Sequence, residues 1–157
     1  MSKRNAGFTL IELLVVIGIL GILLAIVLIA INPGRQFALA NNTKRQSDVS
    51  TILNAVSQYM ADNKGKLPVG MGTLGTAMAA TEIAGNGTPA NGDVCGALVT
   101  KFVAQLPYDP SLTGSFTSCA SYDTGYQVAV DTAGRVTVSA SNAQPIDEVG
   151  VTISVTR

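Results

Sequence analysis

Histidine and tryptophan are absent from this chain, aromatic residues make up 5% of it, and charged residues only 13%. Without histidine, Ser-His and Cys-His nucleophilic catalysis and every His-ligated metal site drop out together. The chain therefore reads as non-enzymatic, and nothing in it calls for a cofactor. Its charge content is about half that of an ordinary soluble protein. Lys and Arg number 10 and so do Asp and Glu, and Lys44, Arg45, Lys64, Lys66, Lys101 and Arg135 are scattered along the chain. No basic patch interleaved with aromatics is visible, so no nucleic-acid partner is indicated. At 157 residues, with no internal repeat of useful length, the chain has room for one domain and an anchor.

What the chain does have is an apolar run from Phe8 to Ile31 that contains a single acid, Glu12. As a helix of roughly 24 residues it would span about 36 Å, enough to cross a bilayer with some tilt. A charged group at the centre of such a helix costs about 2.5 to 3.5 kcal/mol, so an acid inside the run calls for a partner and a role. Lys3 and Arg4 precede the run and orient its amino end towards the cytoplasm, which sends the remainder outward. A secretory signal peptide has a shorter apolar region with a small-residue cleavage site after it. Here the small residue, Gly7, comes before.

Lys3, Arg4, Gly7-Phe8-Thr9-Leu10-Ile11-Glu12 and Leu13-Leu14-Val15-Val16-Ile17 resemble the class III leader and N-terminal helix of type IV pilins and type II secretion pseudopilins. The resemblance implies that a membrane prepilin peptidase cuts between Gly7 and Phe8, methylates the new amino terminus at Phe8, and leaves the apolar helix in the mature chain. That cut would place an α-amino group one helical turn before Glu12, within reach of it in the same or a staggered neighbouring subunit. Glu12 would then act in assembly, selecting an axial register when many copies bury their helices together. The alternative is an incidental interfacial acid on a plain anchor. The resemblance further implies partners: copies of the chain and related pilins, the inner-membrane assembly machinery and the lipid bilayer. It implies a single-pass inner-membrane precursor with its amino terminus inside, and later an extracellular filament.

Gly18 and Gly21 lie one turn apart, which suits close helix packing or is accident. Many pilins carry a proline in the second half of this helix, where this chain has Ile29; its first proline is Pro33. Asn32-Pro33-Gly34 is therefore the expected break. Beyond it, Val49, Ile52, Leu53, Val56, Tyr59 and Met60 recur at helical spacing over about 35–63, opposite a polar face with Asn42, Lys44, Arg45, Gln46, Asn54, Ser57 and Gln58. Lys64-Gly65-Lys66 and Pro68 should stop this helix, with glycine at the C′ position. Residues 69–93 read as loop, with a short helix plausible at 76–83, and a second short helix is expected from Val94 to Gln105. Tyr126–Asp131 and Arg135–Ala140 flank Thr132-Ala133-Gly134 as a hairpin, and Val149–Thr156 alternates as a third strand.

These elements define a pilin-like α+β fold in which the amphipathic half of a long helix packs on a small antiparallel sheet. The expected divisions are a leader at 1–7, a transmembrane or filament-core helix at 8–34, and an exported domain at 35–157. The last divides into helix 35–63, loop and disulfide region 64–125, and sheet 126–157. Cys95 and Cys119, the only cysteines, read as one disulfide in an exported domain; the alternative is two buried thiols. Leu106-Pro107-Tyr108-Asp109-Pro110 resembles the Leu-Pro-x-Asp-Pro segment before the calcium-holding loop of major pseudopilins. Asp109 and Asp123 are the carboxylates there, but Ser111 to Tyr122 supplies mainly hydroxyls and carbonyls where calcium takes about six to eight oxygens. The alternative is a proline-bounded turn capped by Asp109. The function expected is a structural subunit of a type IV pilus-like surface filament; a secretion pseudopilin and a non-polymerising anchored binding domain are the other readings.

Overall fold

Asn32 divides the helical half of the chain. In the computed structural model, which describes residues 7–85, 92–114, 116–146 and 149–157, α1 runs Leu10–Ile31 and α2 runs Pro33–Asp62. Lys3 and Arg4 of the expected leader lie outside the described residues, as does the Asn86-Gly87 part of the 69–93 loop. Asn32 takes a left-handed φ of 47° as the C-cap of α1 and accepts the Arg35 amide on its main-chain oxygen at 3.1 Å. Pro33 opens α2, where its missing N–H costs nothing. The helix is unbroken from Gly21 through Ile29.

The chain forms two compact units, one ending at Phe37 and the other spanning Ala38–Arg157. No residue of α1 is buried, although its apolar length suffices to cross a membrane. The second unit holds the core. Val49, Ile52, Leu53, Ala55 and Val56 of α2 are buried there with Tyr126, Val128 and Val130 of β2 (Tyr122–Val130) and Val136 and Val138 of β3 (Val136–Ala140). β1 (Met78–Gly85) and β4 (Ile153–Thr156) complete a four-stranded antiparallel sheet in the order β1-β2-β3-β4. This is the α+β class, with the amphipathic helix on one face of the sheet. The hairpin between β2 and β3 closes as its sequence suggests, Gly134 having a φ of 80°.

Four expectations need correction. Residues 76–83 are not helical but lie largely in β1, so the sheet has four strands rather than three. The alanine-rich segment hides its pairing because the register with β2 shifts twice, between Met78 and Thr81 and between Glu82 and Ala84. The helix expected over 94–105 is the single turn α3, Cys95–Leu98. Thr100 adopts a φ of 71°, which a helix cannot continue through. The third expected strand is shorter, since β4 starts at Ile153 and Val149 pairs instead with Ile146. At the end of α2 it is Lys64, φ 56°, that holds the left-handed C′ position. Gly65 follows it and donates to the Met60 carbonyl at 2.7 Å, the six-to-one bond of a Schellman end.

Candidate functional site

The start of α1 is built by two side chains three positions apart, Thr9 and Glu12. The Thr9 hydroxyl accepts from the Glu12 amide at 3.3 Å, while Glu12 Oε2 accepts from the Thr9 amide at 2.9 Å and from the Thr9 hydroxyl at 2.6 Å. This reciprocal cap satisfies two orphan amides of the first turn. Thr-x-x-Glu ahead of an apolar run is its signature, and the reading of Glu12 by charge alone overlooks it. In the single chain the carboxylate is thus already engaged by Thr9. Phe8, one residue before the cap, is 88% exposed, and a side-chain carbon placed at Gly7 would meet nothing within 4 Å. The Gly7-Phe8 junction therefore sits on open backbone immediately before a capped helix.

A second constellation lies inside the folded unit, where α2 presents polar groups inward. Arg45, placed on the solvent face by its spacing, is wholly buried, and Asn42 nearly so. Its guanidinium grips Asp109 through Nε to Oδ2 at 2.8 Å and Nη2 to Oδ1 at 3.0 Å. Nη1 donates to Asn42 Oδ1 at 2.9 Å, and Nη2 also reaches the Ser111 hydroxyl. Asn42 in turn bonds both backbone groups of Gln144, donating to its carbonyl at 2.8 Å and accepting from its amide at 3.0 Å. The network thus ties α2 to the 109–111 turn and to the 144 segment. Burial alone would raise the Asp109 carboxyl, but the hydrogen bonds from Arg45 and Ser111, with the guanidinium charge, outweigh it and hold the group below its ordinary value.

Asp109 also caps its own turn, since its Oδ1 accepts the Ser111 amide at 2.7 Å and its carbonyl accepts from Leu112 at 3.1 Å. Its carboxylate is consumed by these bonds. Asp123 Oδ1 accepts the Gly125 amide at 2.8 Å, and among the described residues no three acidic or cysteine groups gather as a metal would require. The turn cap expected for Asp109 is present. Nearby, the Tyr126 hydroxyl donates to Asp48 Oδ2 at 2.7 Å, and burial together with that carboxylate raises its pKa.

Cys95 and Cys119 are joined in a disulfide with Cα atoms 5.4 Å apart. Next to it the Tyr122 hydroxyl accepts the Val94 and Cys95 amides and donates to Asp93 at 2.7 Å, fixing α3 against β2. Unfolding the protein in denaturant without reductant should expose no thiol to an alkylating label. Labelling of Cys95 and Cys119 under those conditions would show that the bridge does not form.

The chain so described is an α+β unit preceded by an uncovered apolar helix with a capped acid in its first turn. Residues 2–28 match the prokaryotic N-terminal methylation motif. The chain is also 39% identical over 62 residues to the type II secretion system core protein G of Aeromonas hydrophila. Motif and relative both support a likeness to the type IV pilin and type II secretion pseudopilin family. The aligned part is 40% of this chain and 42% of the relative, so less than half of each is compared. No solved structure matches it.

Proposed function

We propose that the protein is a non-enzymatic structural subunit of a type IV pilus-like filament. The observation that carries this is α1: an apolar helix of 22 residues with no buried side chain, which must be covered by something other than its own domain. Lipid covers it while the subunit waits in the inner membrane, amino terminus inside. The helices of other copies and related pilins cover it in the extracellular filament. A membrane peptidase cuts between Gly7 and Phe8 and methylates Phe8, and the assembly machinery of the inner membrane then extracts the subunit. The new ammonium at Phe8 competes with Thr9 for the Glu12 carboxylate, and pairing with a neighbour's ammonium fixes the axial register of the growing bundle.

A second reading, a pseudopilin of a secretion system, is favoured by the relative named above. Asp109 speaks for the first, because its carboxylate is locked to Arg45 rather than open towards a calcium loop. Mass analysis of the mature protein extracted from membranes should show a chain beginning at methylated Phe8. A mature chain beginning after Ile31 would overturn both readings, since the helix would then be lost. Electron microscopy of material sheared from cells separates surface pili from a filament confined to the envelope.

A further inference from the structure

The free edge of β4 faces a groove, and the hydrogen-bond pattern shows which backbone groups point into it. Val136 and Arg157 exchange both of their main-chain bonds, at 2.8 and 3.0 Å. In an antiparallel ladder such pairs alternate, so Val138 with Val155 and Ala140 with Ile153 are the next bonded pairs in the register. The amides and carbonyls of Ser154 and Thr156 therefore point away from β3, and among the described residues they have no main-chain partner. A groove of about 300 Å³ runs beside them, touched by every residue from 151 to 155. Successive strand side chains point to opposite faces, so a space touched by consecutive residues lies along the strand's edge rather than over a face. Its far wall is a stripe of α2, Leu39, Asn42, Thr43 and Gln46, at helical spacing.

We propose that this groove takes an extended, uncharged polypeptide segment from another protein chain, which adds as a fifth strand on β4. Unpaired edge amides and carbonyls select an extended backbone over a helix. Among the described residues none that lines the groove is charged, which selects an uncharged segment, and the apolar walls at Leu39, Val151 and Val155 select apolar side chains at every second position. β4 carries no lysine and no proline, the residues that usually block pairing at a sheet edge. With only Ser154 and Thr156 offering backbone bonds, binding is weak and depends on local concentration, as between neighbouring subunits.

The test uses the full chain in detergent micelles and a capped peptide of about six alternating threonines and valines, followed by amide hydrogen exchange. Exchange at Ser154 and Thr156 should slow on adding the peptide, while Val155, already bonded to β3, should not change. Ser154→Pro removes an outward amide without touching the β3 ladder and should abolish the protection at Thr156. Thr43→Arg, on the exposed helical wall, should do the same by placing bulk and charge in the groove, and it keeps the test decisive if the proline variant misfolds. Unchanged exchange at Ser154 and Thr156 with peptide, or full protection at Thr156 in Thr43→Arg, would overturn the proposal.

Discussion

Asp109→Ala should destabilise the folded unit by about 3 to 5 kcal/mol, because it leaves the Arg45 guanidinium buried without its anion. Arg45→Met should cost a similar amount by orphaning the carboxylate. The pair Arg45→Met with Asp109→Leu should cost far less than the sum, since no charge is then left buried; Asn42 keeps Gln144, and the exposed Ser111 can turn to water. All buried core residues belong to Ala38–Arg157, so a soluble fragment of residues 35–157 should fold and serve for urea titration. The same fragment should lose stability in acid. The folded Asp109 carboxyl titrates below the ordinary 3.8, so its contribution is complete above that value and disappears as the pH falls through the lower folded value. An acid limb in the stability profile that persists unchanged in the double variant would show that other carboxylates cause it.

Glu12→Ala should leave membrane insertion and cleavage after Gly7 intact and sharply reduce the subunit recovered in filaments. Removing the acid makes the helix more apolar, which favours insertion. In the proposed bundle it leaves the Phe8 ammonium buried and unpaired, at about 3 to 5 kcal/mol, a factor on the order of a hundred or more in each addition equilibrium. Glu12→Gln should fail nearly as badly: it can still accept from the Thr9 amide as a helix cap, but it cannot neutralise an ammonium. Comparing processed subunit in membranes with that in sheared filaments measures this, and normal filament yield from Glu12→Gln would exclude charge pairing in favour of capping.

How much of this was legible depended on whether the determining contacts are local. The core face of α2 follows from the 3.6-residue recurrence of Val49, Ile52, Leu53 and Val56, and the β2–β3 hairpin from alternation around Gly134. β1 escapes the same reasoning because two register shifts break its alternation and its alanines suit a helix. The contraction of α3 rests on a left-handed Thr100, a residue with no preference for that conformation. At the candidate site, Gly7, Phe8 and Glu12 stand out as a contiguous motif, and the Thr9 cap was readable in the same hexapeptide. Arg45 is the counter-example. Hydropathy assigns a guanidinium to solvent, and nothing near it in the chain betrays an acid that arrives 64 residues later.

That separation bears on the order in which the unit can assemble. During synthesis Arg45 emerges well before Asp109, and Asn42 awaits Gln144, 102 residues further along. Until both arrive, α2 has a cation on its inward side that stays hydrated, and closing the apolar stripe over the sheet would strand it. Premature collapse of the helix onto partial sheet is thereby penalised. Folding is held back until the carboxyl-terminal third is available, and a truncated chain should stay open rather than trap a misfolded core.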